Sequence, residues 1–162
     1  MYIRRQLEEI LNRYLTLFPA VTITGPKQSG KSTMLKECLK DRYKYVTFDK
    51  IQNIEDFSSD PQSFIEKYNN KVIFDEAQRV PQLFNYIKLL IDEDRQNYGK
   101  FILTGSSQFS MIKGITETLA GRVGNISLLP FQYLEIPDEE KTEQILFGSY
   151  PEIVLRKYSG VF

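Results

Sequence analysis

The octapeptide GPKQSGKS (25–32) follows a β-branched run, AVTIT (20–24), and leads into a periodic stretch with Met34, Leu35, Cys38 and Leu39 on one face. A strand, a glycine loop and a helix in that order leave few options. The loop's backbone N–H groups must curl around something they can bond, and glycine is needed where φ is positive or where a Cβ would strike the bound group. The helix start points its unpaired N–H groups and partial positive charge at the same place. Phosphate oxygens satisfy all of these donors. The segment fits G-x-x-x-x-G-K-[ST] without a gap, so Gly25, Pro26, Lys27, Gln28, Ser29, Gly30, Lys31, Ser32 and Thr33 form the candidate phosphate loop. Within it Lys31 brings a charge to the β- and γ-phosphates, and the Ser32 hydroxyl is a ligand for Mg²⁺. The pattern is permissive alone and gains weight because strand and helix flank it.

The rest of the chain alternates in the same way. Ile3, Leu7, Ile10, Leu11, Tyr14 and Leu15 recur at helical spacing and predict an amphipathic helix over 3–17, stopped near Pro19. YKYVTF (43–48) predicts a strand closed by Asp49, followed by a polar stretch. Asp60-Pro61 then reads as a helix cap with proline at the first turn, opening a short helix through Phe64 and Tyr68. KVIFDE (71–76) is an apolar strand ending in acids, and Pro81 opens a helix with Leu83, Phe84, Ile87, Leu90 and Ile91 at 3.6 spacing. KFILTGSS (100–107) is a strand, MIKGITETLAGR (111–122) a helix with Gly121 as its cap, and NISLLP (125–130) a fifth strand. Strands that stay apolar up to a polar tip, separated by helices, predict an α/β three-layer sandwich with a mostly parallel five-stranded sheet. Ligands bind such sheets at the carboxyl ends of the strands.

Those ends carry the other candidates. Asp75 and Glu76 share one strand tip and suit different tasks. Asp75 would hold a water of the Mg²⁺ shell, and Glu76, one residue on, would orient and deprotonate an attacking water. In LTGSS (103–107), Ser106 is the candidate sensor of the γ-phosphate, with Thr104 and Ser107 nearly as good; an ordinary polar turn has the same composition. Arg122 is a candidate for stabilising transition-state charge, from its own chain or a neighbouring subunit's, while a cation after a helix C-terminus is equally favoured by the dipole. Gln78 and Arg79 beside the acid pair are weaker candidates. Cys38 sits on the apolar face of its helix and reads as core.

Composition narrows the setting. Lys plus Arg equals Asp plus Glu at 21 each, so nucleic acid is not indicated by net charge and any polyanion contact needs a local patch. With no histidine and a single cysteine, the common zinc ligand sets and an internal disulfide cannot be assembled, which fits the cytoplasm. No apolar run approaches the roughly 20 residues of a membrane-spanning helix, and the N-terminus is amphipathic rather than a charged start before an apolar stretch.

Taken together, FPAVTITGPKQSGKST, KVIFDEAQRVPQLF and FILTGSSQF…KGITETLAGRVGNISLLPFQYLEI resemble a prokaryotic family of AAA-type P-loop ATPases that carry a C-terminal domain of uncertain role. The resemblance covers about residues 3–155. It implies an extra strand between the phosphate-loop strand and the acidic strand, ATP and Mg²⁺ as cofactors, and ATP hydrolysis as the activity. The acidic PDEEKTE near 137–143 marks the exit from the sheet domain, which gives an ATPase domain over 1–136, with the amphipathic helix 1–18 packed on it, and the start of a lid or C-terminal region over 137–162. Members often show a pair of acids after the second strand, where this chain has Asp49-Lys50. Relatives continue past the point corresponding to Phe162, so Ile145, Leu146, Phe147, Ile153, Val154 and Leu155 would lack a packing partner and offer a surface for self-association or a protein partner. The alternative function is a nucleotide-dependent switch with little turnover. Phosphoryl transfer to a small acceptor is disfavoured, because no arginine cluster for an acceptor is visible.

Overall fold

The computed structural model describes residues 2–106, 109–138, 141 and 148–155. In chain order these form α1 (Leu7–Tyr14), β1 (Ala20–Gly25), α2 (Lys31–Leu39), β2 (Lys44–Thr47), α3 (Ile51–Ser59), α4 (Pro61–Lys67), β3 (Val72–Asp75), α5 (Leu83–Glu93), β4 (Phe101–Ser106), α6 (Phe109–Thr118), β5 (Val123–Ser127) and α7 (Pro151–Leu155). The strands make one five-stranded sheet in the order β2-β3-β4-β1-β5. Every pairing is parallel, so all five carboxyl ends share one rim. β4 separates the glycine-loop strand β1 from the acidic strand β3, as the resemblance implied.

Burial on both faces explains the continuously apolar strands. Val72, Phe74, Phe101 and Leu103 face one side, against Phe57 of α3, Phe64 of α4 and Leu83, Phe84 and Ile87 of α5. Their alternates Ile73 and Ile102 face the other, with Val21 and Ile23 of β1, Leu11 of α1, and Met34 and Leu35 of α2. Helices therefore cover both faces of the sheet, completing the three-layer sandwich. Cys38 packs at the edge of the second cluster and is half-buried, its thiol pushed up mainly by burial.

Local chemistry sets the element ends. Asp60 accepts from the Ser63 N–H at 3.1 Å with Pro61 in the first turn, the cap expected from sequence. The first helix is shorter than the expected 3–17, because the Arg5 N–H is taken by the Glu8 carboxylate at 2.8 Å and residues 2–5 lie outside the helix. The polar stretch after β2 holds a helix the sequence reading did not contain, α3, which buries Phe57. α6 ends at Thr118 rather than at the expected 122; Gly121 adopts φ +74° in the following turn, where the Arg122 N–H donates to Leu119 O at 3.0 Å. β5 starts and stops earlier than the expected 125–130.

Arg122 lies at the amino end of β5, where its carbonyl accepts from the Ala20 N–H at 3.4 Å. Its guanidinium forks onto both oxygens of Asp92 at 2.9 Å each. Hydrogen bonds from Arg122 are the main cause pushing Asp92 down to about 2. A carboxylate held below its ordinary 3.8 stabilises the fold above that value and loses the contribution as pH falls through about 2. Asp92→Asn should therefore flatten the acid side of a melting-temperature profile between pH 4 and 2, while an unchanged profile would remove the pair from the stability account.

Candidate functional site

β1 delivers its last residue, Gly25, to the rim with φ +153°, and α2 starts after Gly30, at φ +93°. The intervening loop and the first turn of α2 border a cavity of about 450 Å³ lined by Lys27, Gln28, Gly30, Lys31, Ser32 and Thr33 on one side and by Asp49 and Glu76 across from them. Pro151 and Glu152 of α7 border it too. Gly25, Pro26 and Ser29 shape the loop rather than line the cavity. Lys31 folds back so that its ammonium donates to the carbonyls of Gly25 at 2.9 Å and Pro26 at 2.8 Å. Burial lowers its pKa, opposed by the nearby Glu76 and Asp75 carboxylates. A cation stripped of water and offered mainly neutral carbonyls gains from an arriving phosphate. The buried Ser29 hydroxyl has no hydrogen-bond partner among the described residues.

Asp75 is 6% exposed at the tip of β3, held from three elements. Tyr45 of β2 donates to its Oδ2 at 2.6 Å, and Ser32 Oγ lies 3.4 Å from the same oxygen. Thr104 of β4 donates to Oδ1. Burial, then the hydrogen bond to Asp75, pushes the Tyr45 phenol far up, so it stays a donor. The expectation for Asp75 placed it beside Ser32 but gave it no anchors. Tyr45 was overlooked, although its place on the strand preceding the acidic one was a signal. A hydroxyl and a buried carboxylate facing a phosphate loop fit Mg²⁺, which takes one or two protein oxygens and completes its shell from water and phosphates.

Glu76 leaves the strand in the left-handed region, φ 54° and ψ 41°, which turns its side chain away from Asp75 and onto the cavity wall. Gln78 donates to Glu76 Oε2 and stands 3.5 Å from Ser106 Oγ. Its own Oε1 is buried without a partner among the described residues. Ser106 pairs in register with Gly25, so the structure brings it to the rim between loop and acids, while Ser107 lies outside the described residues. Arg79 is drawn to Asp49 at 2.9 Å. Arg122 is not brought to this site: it lies at the opposite end of the sheet, committed to Asp92.

Comparison with known proteins bears on the fold and the family. The chain is 32% identical over 150 residues to the uncharacterized protein Rv2008c of Mycobacterium tuberculosis, covering 91% of this chain and 33% of that protein. The uncharacterized protein Mb2031c of Mycobacterium bovis matches equally. The chain thus spans one third of the length of these relatives. Among solved structures, the Walker-type ATPase PABY2304 of Pyrococcus abyssi superposes with a TM-score of 0.66 at 19% identity, over 94% of this chain and 66% of that one. Domain III of the replication initiation protein DnaA of Thermotoga maritima follows at 0.53 and 16%, over 88% and 77%. At these identities the two structures speak for the fold alone. The family model described as "AAA domain" matches residues 17–137, most of the chain and all five strands, and the chain therefore belongs to the AAA domain family, as a nucleotide-binding P-loop domain of AAA type.

Proposed function

We propose that this domain hydrolyses ATP in a Mg²⁺-dependent manner, with Glu76 as the general base. The observation that carries the reading is the split between the adjacent carboxylates. Asp75 is locked by Tyr45 and Thr104 beside Ser32, whereas Glu76 is turned onto the wall of the phosphate cavity. Ser32 and Asp75 would hold Mg²⁺, which when bound neutralises charge on the phosphate oxygens. Lys31 would exchange the carbonyls of Gly25 and Pro26 for phosphate. The Glu76 carboxylate would accept the proton of the attacking water, with Gln78 orienting it through Oε2 and Ser106 at hand to contact the terminal phosphate. The preference for ATP over GTP rests on the family, and a cytoplasmic setting on composition.

Phosphate release from ATP, assayed with Mg²⁺ and then with excess chelator, tests the reading. Release that disappears on chelation is expected, and none above background in either condition would defeat it. Lys31→Ala should weaken Mg-ATP binding by about 1.5–3 kcal/mol, roughly 10- to 100-fold, because it deletes a charge-assisted contact. Calorimetry returning an unchanged affinity would argue against the site.

One observation favours a second reading, a nucleotide-dependent switch with slow turnover: Glu76 is already occupied by Gln78. Binding without phosphate release over many minutes would select it. Paired with Asp92 at the opposite end of the sheet, Arg122 would act on nucleotide only from a neighbouring subunit, and Arg122→Ala should leave the Mg-ATP affinity of the single chain unchanged. The apolar C-terminal segment offers such contacts only in part. Val154 is buried against Ile3, Phe131 and Ile136, Leu155 is exposed, and Ile145, Leu146 and Phe147 lie outside the described residues.

A further inference from the structure

Arg5 precedes the first helix and lies outside the family match at 17–137, yet it is only 3% exposed. Its guanidinium makes four hydrogen bonds and one ring contact. Nε donates to Glu135 Oε2 at 3.1 Å, Nη2 to the carbonyls of Leu129 at 2.7 Å and Pro130 at 3.2 Å, and the plane sits 4.6 Å from the centre of the Phe131 ring. Nη1 donates to the carbonyl of Ser29, inside the phosphate loop, at 2.9 Å. Both partners are themselves fixed. The Arg5 N–H bonds to Glu8, and Glu135 accepts from the backbone N–H groups of Gln6 and Gln132, each at 2.8 Å.

A buried ion pair contributes little net stability against an apolar replacement, so stability alone is a weak reason for this arrangement. The loop supplies a better one. A trans peptide is planar and its C=O and N–H point in opposite directions. Holding the Ser29 oxygen on the Arg5 side therefore turns the Gly30 N–H to the other side. Gly30 stands between two cavities: it lines the phosphate cavity, which Arg5 does not reach, and shares with Arg5 the wall of a smaller one of about 70 Å³. Gly30 has φ +93°, where glycine alone offers little resistance to the peptide flipping, so the orientation needs an external clamp. A methyl group on Gly30 would lie 3.5 Å from Arg5 Nη1, which places the guanidinium directly behind this peptide.

We propose that Arg5 is a positioning residue for nucleotide binding: by gripping the Ser29 carbonyl from behind the loop it presents the Gly30 N–H to the phosphates. Glu135 and Phe131 orient the guanidinium for that task. The proposal rests on the reading of the cavity as the nucleotide site.

The test follows the Gly30 amide by ¹H–¹⁵N NMR during titration with Mg-ATP in the full chain, with affinity by calorimetry and stability by thermal melting. In the unsubstituted protein the Gly30 signal should shift to saturation. Arg5→Met should abolish or sharply reduce that shift and weaken Mg-ATP roughly 10- to 100-fold. Arg5→Lys keeps the charge but cannot reach Ser29 and Glu135 together, and should fall between the two, carrying the test should Arg5→Met not fold. Ile87→Val, in the core on the sheet face away from α1 and α2, touches no Arg5 donor and should lower the melting temperature while keeping the Gly30 response. Wild-type affinity in Arg5→Lys, or a loss of binding in Ile87→Val equal to that in Arg5→Met, overturns the proposal, the latter by assigning the effect to general destabilisation. A Gly30 amide in the unsubstituted protein that ignores Mg-ATP overturns the nucleotide-site reading, and the proposal with it.

Discussion

Glu76→Gln is expected to lower ATP turnover by about 10²- to 10⁴-fold, the range contributed by a positioned general base, while Mg-ATP affinity stays within a few-fold. Glutamine is nearly isosteric and keeps the oxygen that accepts from Gln78, so the wall of the cavity and the left-handed backbone at φ 54° can persist. What it cannot do is take a proton. The two effects are separable in one preparation, by single-turnover phosphate release beside an equilibrium titration. A variant that releases phosphate at the normal rate would remove Glu76 from the chemistry and leave the activity, if present, to be assigned elsewhere. If binding and turnover fall together, Glu76 serves the loop rather than the water.

The second large effect concerns the backbone. Gly25→Ala should destabilise the domain by about 2–6 kcal/mol, combining strain at a positive φ with an overpacked contact. Gly25 has φ +153°, and a Cβ there would run into the carbonyl oxygen of Leu128. That oxygen belongs to backbone fixed by the Leu128 N–H bond to Thr24 O at 2.7 Å, so it has little room to yield. For a chain of this size each kcal/mol moves the melting temperature by roughly 2–4 °C, so a fall of about 5–20 °C should be read in a thermal scan. Any folded fraction should bind Mg-ATP weakly, because relief of the clash displaces the first residue of the loop. A melting temperature within a degree of the parent would show that the Leu128 backbone gives way easily.

Much of this was legible in the sequence because its signals are local. GPKQSGKS specifies much of its own geometry, since two of its three residues with positive φ are glycines, Gln28 being the third, and the next turn must be helical. The apolar runs ending in Asp75 and in Ser106 announce strands buried on both faces, and the register confirms their polar ends at one rim. The missed features depend on distance along the chain. α3 hid because, of Ile51, Ile54 and Phe57, only Phe57 is fully buried while Ile51 is 67% exposed, so the apolar period is too thin to read. Arg5 was unreadable as a functional residue: its partners Ser29 and Glu135 stand 24 and 130 positions away. Tyr45 meets Asp75 only because β2 lies beside β3. Arg122 stayed ambiguous because a cation after a helix reads the same whether it serves a nucleotide or a structural pair, and only the fold shows its grip on Asp92.

The place of β4 has a further result. Neighbouring strands lie ~4.8 Å apart, so the strands bearing the loop and the acid stand ~9.5 Å from one another, and β4 alone spans that gap. Thr104 and Ser106 are buried on that strand, Thr104 against Asp75 and Ser106 beside Gln78, so they brace the acidic wall from beneath rather than line the cavity. A bulkier residue at 104 would push Asp75 off its seat, with every loop residue untouched. The seat of the acid is therefore a property of the sheet, set by a strand that touches neither end of the glycine-loop motif in sequence.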